Sequence, residues 1–274
     1  MERKMKFTKM QGIGNDYVYI NCFEESVEDP AELARKVSDR HFGIGSDGLI
    51  LICPSETADC RMRMFNADGS ESQMCGNGIR CVGKYVYDHH LVEKTEFDVE
   101  TGAGIKHLKI KLEHGRAVKI TVDLGVPEIT SQVPELIHME GKDYEFIGIS
   151  MGNPHAVYYM SDIDSLDLLA MGPAFENHER FPERTNSEFI EVVSREYIRM
   201  RVWERGSGET YACGTGAAAS AVASALSGRT SHTVEVELKG GNLTIHWDRD
   251  GSGHVFMTGP AVEVFEGEFD ITNL

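Results

Sequence analysis

No stretch of the 274-residue chain reaches the ~18 consecutive apolar residues that a membrane-crossing helix requires. The basic start, MERKMKFTKMQGIGNDY, has no apolar segment after it, so no export signal is read and a cytoplasmic setting is expected. Clustered Lys and Arg are missing as well. With 27 basic against 44 acidic residues the formal charge is −17, which argues against nucleic acid as a partner and fits solubility through self-repulsion. The six cysteines, Cys22, Cys53, Cys60, Cys75, Cys81 and Cys213, include no C-x-x-C pair and no usual zinc spacing, so neither a metal site nor a thiol-disulfide oxidoreductase is favoured. A chain this long can bury a core without disulfides; reduced thiols, most of them small buried hydrophobes, are expected.

What the sequence does hold is a repeat. RMRMFNADGSESQMCGNG (61–78) aligns without a gap on RMRVWERGSGETYACGTG (199–216), an offset of 138 (199 − 61), with seven of eighteen positions identical. Gly14-Asn15 and Gly152-Asn153 share that offset, and VETGAGIKHLKIKLE (99–113) resembles VELKGGNLTIHWD (236–248) with a drift of a few residues. An offset near half the chain points to a duplicated domain with pseudo-twofold symmetry; two convergent glycine-rich turns are the weaker explanation.

Each motif follows an alternating, strand-like segment and a turn-rich stretch, and each Cys-Gly-x-Gly opens a helical pattern. Ile79, Val82, Gly83 and Val86 fall at helical spacing, while GAAASAVASALSG suits a helix buried on all sides and stopped near Gly228. Many strands with few helices argue for an α+β fold: two pseudo-symmetric strand-rich domains, each wrapped on a central helix, with a substrate cleft between them. The expected division is residues 1–115 plus 262–274, carrying Cys75, and residues 116–261, carrying Cys213.

A cysteine at a helix start is placed for chemistry. The helix N-terminus favours a thiolate, and the unpaired N–H groups behind it can cradle a carboxylate. Two such starts, facing each other, could hold one carboxylate with a thiol on each side of the neighbouring carbon. One sulfur would remove the α-proton and the other would protonate the opposite face, a stereoinversion that needs no pyridoxal and no metal. A single Cys before Gly-x-Gly is more often a buried structural residue; two in symmetric positions favour catalysis.

At these residues the chain resembles the diaminopimelate epimerases. The resemblance rests on GIGNDY (12–17), RHFGIGSDG (40–48), MFNADGSE (64–71), CGNGIRC (75–81), MGNPHAV (151–157), WERGSGET (203–210) and ACGTGAAA (212–219), and spans nearly the whole chain. It implies conversion of LL- to meso-diaminopimelate, in lysine and peptidoglycan precursor synthesis, with Cys75 and Cys213 as the acid–base pair and no cofactor. It implies that His155 and Glu204 assist catalysis, and that Gly76, Asn77, Gly214 and Thr215 hold the reacting carboxylate through backbone N–H groups. Asn15, Asn66, Asn153, Asn186, Glu204 and Arg205 fall on the remaining substrate positions. A homodimer is implied too. Taken singly these residues have plainer roles: Asn66 and Asn77 could serve turns, Asn186 could cap one, His155 could be packed and Arg205 a surface charge. Gly48 departs from the family pattern, where many members carry Gln; its repeat mate is Asn186 (186 − 48 = 138). Two other readings stay open, a proline or hydroxyproline racemase and a non-catalytic amino-acid-binding protein.

Overall fold

The structure, a computed structural model, describes residues 4–139 and 141–270. The chain divides into two compact units, residues 1–122 with 259–274, and residues 123–258; residues 1–3 and 271–274, which end the expected first domain, lie outside the described residues.

The first unit contains β1 (Lys4–Gly12), β2 (Asn15–Asn21), α1 (Pro30–Ser38), β3 (Gly48–Cys53), β4 (Cys60–Asn66), β5 (Glu71–Ser72), α2 (Gly76–Asp88), β6 (Glu96–Thr101), β7 (Gly104–Glu113) and β8 (Arg116–Asp123), with β19 (Val262–Asp270) returning from the chain end. Its strands pair in the order β19, β1, β2, β3, β4, β6, β7, β8. Strand β3 shows why both faces are covered. Residues two apart share a face: Leu49 and Leu51 join Leu33, Ala34 and Val37 of α1, while Ile50 faces Gly78 of α2. Helix α1 is set by Asp29, whose carboxylate accepts from Glu32 N, and by Pro30 in the first turn.

The second unit contains β9 (Glu128–Ile129), β10 (Glu135–Met139), β11 (Lys142–Ser150), β12 (Pro154–Tyr159), α3 (Leu168–Glu176), β13 (Asn186–Val192), β14 (Tyr197–Glu204), β15 (Gly208–Glu209), α4 (Gly214–Leu226), β16 (Thr233–Leu238), β17 (Gly241–Trp247) and β18 (Val255–Gly259). Its strand order is β10, β11, β12, β13, β14, β16, β17, β18, the same succession of parallel and antiparallel pairs.

The repeat read in the sequence is a repeat of structure. β1, α1 and α2 map onto β11, α3 and α4 at an offset of 138 residues at both ends. Register repeats too: Tyr17 faces Gly48 as His155 faces Asn186, and Phe65 faces Glu71 as Trp203 faces Glu209. Each unit is built around its Cys-headed helix. Ten residues of α2 and eleven of α4 are buried, and the alanines of α4 let strands approach on several sides. The fold is therefore α+β and duplicated, with a central helix in each half. The expectation for the cysteines holds for only half of them: Cys60, Cys81 and Cys213 are buried, but Cys22, Cys53 and Cys75 are partly exposed.

Candidate active site

Cys75 and Cys213 occupy the same position in their units, the residue before the first helical turn. Both have extended backbone, and each sulfur accepts the N–H three residues on, from Gly78 and from Gly216, at 3.4 Å in both cases. Ser, Thr, Asp or Asn would cap better, by about 1 kcal/mol over a residue without a capping oxygen. Sulfur twice in this place is therefore not explained by helix stability. The first N–H groups of each helix, in Gly76-Asn77 and Gly214-Thr215, have no carbonyl of their own helix to donate to and open toward the end where an anion would be met.

Beside Cys75 stands an amide, that of Asn15. The thiol lies 3.2 Å from Asn15 Oδ1, and the Asn15 amide is turned that way by donating Nδ2 to Asp47 at 2.8 Å. Asp47 is itself fixed by Arg40, which also grips Asp16. Asn77 is buried, and its Oδ1 accepts from Arg80 at 2.9 Å. Arg80 is fully buried and also donates to the carbonyls of Gly76 and Pro260, so the cradle is pinned from beneath. Asn66 donates to Ser70 Oγ inside the NADGS turn, in keeping with its plainer turn role.

Position 48 has no room for a side chain. A Cβ on Gly48 would lie 2.1 Å from the Phe65 carbonyl oxygen and 2.8 Å from the Tyr17 ring. The departure from the family pattern is thus built into how β2, β3 and β4 pack.

Beside Cys213 the partners are ionisable. The Glu204 carboxylate lies near enough for its charge to act on the thiol, and it accepts from Thr210 Oγ1. Thr215 Oγ1 lies 3.6 Å from the sulfur and accepts from Asn153 Nδ2 at 3.4 Å. Asn153 Oδ1 is 3.1 Å from His155 Nε2, and His155 Nδ1 is 2.7 Å from Glu188. The Asn186 amide is committed at both ends, donating to Pro154 O and accepting from Arg205 N, and so fixes the turn that carries Arg205. The Arg205 guanidinium reaches the Glu183 carbonyl at 3.2 Å.

One expectation is corrected here. A helix start alone would make the thiolate accessible, but burial, with the charges of Glu204 and Glu188, pushes the Cys213 thiol well above the ordinary cysteine range. In this state Cys213 is placed to hold its proton. Burial likewise raises the Glu204 carboxyl. Cys81 is packed, its thiol pushed up to about 11 by burial. The structure thus brings Asn153, His155, Glu204 and Thr215 together around Cys213, and Asn15 and Asn77 around the start of α2. Sequence reasoning missed Glu188, Arg80, Asp47 and Thr210. Glu188 left a readable trace, an acidic residue at an inward position of an otherwise buried strand, NSEFIEV.

The fold recurs in solved structures. A phenazine biosynthesis protein of the PhzF family from Bacillus anthracis superposes with a TM-score of 0.76 at 19% identity, over 98% of this chain and 100% of that one. A hydroxyproline epimerase from Agrobacterium vitis superposes at 0.72 and 14% identity, over 99% and 94% of the respective chains. Doubled halves with a thiol at each central helix start define the chain as an isomerase of the epimerase type. It belongs to the diaminopimelate epimerase family, whose model matches residues 7–130 and 147–264. The diaminopimelate epimerase of Desulfovibrio desulfuricans is 58% identical over 97% of this chain and 99% of its own length.

Proposed function

We propose that the chain interconverts LL- and meso-diaminopimelate by moving a proton between two thiols, Cys75 and Cys213, on opposite faces of the α-carbon. The observation that carries this reading is the matched placement of the two sulfurs, each capping the central helix of its half in the same register. Cys213, held as a thiol, donates a proton while Cys75 accepts one, and the roles exchange for the other stereoisomer. The N–H groups of Gly76, Asn77, Gly214 and Thr215 bind the reacting carboxylate, and their fixed dipoles stabilise the charge that builds as the α-proton leaves. Diaminopimelate carries a second amino-acid end. Arg205 offers a guanidinium to its carboxylate, Glu204 a carboxylate to its ammonium, and the amides of Asn15, Asn66, Asn153 and Asn186 donate to or position the groups between. Such an activity serves lysine and peptidoglycan precursor synthesis in the cytoplasm. A homodimer is proposed on the family resemblance, and sedimentation tests it.

The test is incubation of purified protein with LL-diaminopimelate in deuterated water and no added cofactor. The expected product is the meso isomer carrying α-deuterium. Inversion that depends on added pyridoxal phosphate, or inversion without solvent deuterium, contradicts the proposal.

A further inference from the structure

The two halves fill one slot differently. A methyl group added at Gly78 would meet Ile50 Cδ1 at 2.6 Å, and one added at Gly216 would meet Glu188 Oε1 at the same 2.6 Å. Ile50 and Glu188 are repeat mates (188 − 50 = 138), one apolar and one acidic. An apolar side chain is what a buried strand facing a helix ordinarily calls for; a carboxylate there is costly unless it is held. Glu188 is wholly buried between Val157 and Val202 on the neighbouring strands. Its Oε1 lies 2.7 Å from His155 Nδ1, itself wholly buried, and its Oε2 has no hydrogen-bond partner among the described residues. A ring nitrogen of His155, a carboxylate oxygen of Glu188 and Sγ of Cys213 all lie within 4.8 Å of one another.

We infer that Glu188 is a positioning residue for proton transfer at Cys213, the counter-ion that holds His155 with a proton on both ring nitrogens. A carboxylate can only accept, so Nδ1 must carry a proton toward it. Nε2 faces Asn153 Oδ1, also an acceptor, and a second ring proton satisfies that contact. The ring then carries positive charge beside a sulfur that otherwise faces two carboxylates, Glu188 and Glu204. When Cys213 loses its proton, that cation stabilises the thiolate; when it holds the proton, the ion pair with Glu188 stays intact. Among the described residues, Glu204 and Tyr158 also face Glu188; the Tyr158 phenol is raised by burial and then by the Glu188 charge, and Glu204 by burial and, last, by that same charge. This role rests on the epimerase reading for its link to turnover, but the state of the ring does not.

The test compares the parent with Glu188→Gln, which keeps shape and removes charge, and with Glu188→Ile, which installs the residue of the other half. Nitrogen-15 spectra of the His155 ring should show two protonated nitrogens at neutral pH in the parent and one in either variant. The kcat/KM for diaminopimelate should fall about 10- to 100-fold, with its pH profile displaced rather than merely scaled down. A ring spectrum unchanged by Glu188→Gln, or a pH profile of unchanged shape, overturns the inference. A ring that responds as expected in a protein that leaves diaminopimelate untouched overturns the functional reading instead.

Discussion

Around the start of α2 the sulfur of Cys75 hydrogen-bonds the Asn15 amide, with Arg80, Tyr19 and Cys81 near enough to feel its charge; around the start of α4 the sulfur of Cys213 lies beside the carboxylates of Glu188 and Glu204 and the imidazole of His155. Asn15 matches Asn153, but Tyr17 stands where the second half has His155, Ile50 where it has Glu188, and Asn66 where it has Glu204. Duplication kept the backbone device, a helix start whose cap is a thiol. Divergence acted on what surrounds the sulfur. The lesson is that a symmetric fold can give its two like-placed thiols different surroundings, because the pull on a proton is set by a few neighbours close by.

The largest effect tests whether both halves are needed. Cys75→Ala and Cys213→Ala should each lower kcat by more than about 1,000-fold, the scale of losing a general acid or base, while circular dichroism stays that of the parent. Retained turnover in either variant would reduce one half to scaffold.

A finer contrast lies one turn into each helix. Alanine favours a helix over glycine by about 1 kcal/mol, and by the same amount at both sites. At Gly78 the new methyl meets the flexible tip of Ile50; at Gly216 it meets Glu188, pinned by His155, and lies 3.2 Å from the Cys213 sulfur. Thermal denaturation should therefore show Gly216→Ala losing about 2 kcal/mol more than Gly78→Ala, within the usual range for overpacking. Equal losses would mean that the Glu188 slot is as yielding as the Ile50 slot.

The smallest effect is a gain. The Glu204 carboxyl is raised from its ordinary value of 4.5, so folding favours its protonated form, and its ionisation weakens the fold as pH rises past that value. Glu204→Gln should raise Tm relative to the parent at neutral pH, with an advantage that shrinks as pH falls toward 4.5, while kcat/KM drops. An advantage that grows in acid has the wrong sign. In the first half Asn66→Asp, its mirror image, should lower stability at neutral pH.

Much of this was legible in the residues. The repeat, the helix starts at Cys75 and Cys213 and the α+β class follow from spacing and periodicity, because glycine-rich turns and 3.6-residue patterns are local signals. Helices α1 and α3 were not read, although Asp29-Pro30 is a capping signature; each is only nine residues long and leans on a sheet assembled from distant segments. Strand β19 was missed because VEVFEGEFD is mostly exposed and lacks a clean alternation, and its partner β1 lies at the other end of the chain. The site residues emerged mainly through family motifs. Glu188 fell outside them, since only the packing against Gly216 and His155 distinguishes it from an ordinary strand carboxylate. The raised Cys213 thiol was invisible for the same reason: burial is a property of the assembled half, not of ACGTG.

The most direct measurement is disulfide mapping after mild oxidation of the reduced protein. If the two sulfurs serve one carbon, as proposed, then in the absence of substrate peptides joined through Cys75 and Cys213 are expected, with activity lost on oxidation and recovered on reduction. Cys22 and Cys53, which lie near each other in the first half, supply a distinguishable second product. Full turnover with both Cys75 and Cys213 blocked, or oxidation that never links the two, would contradict the account.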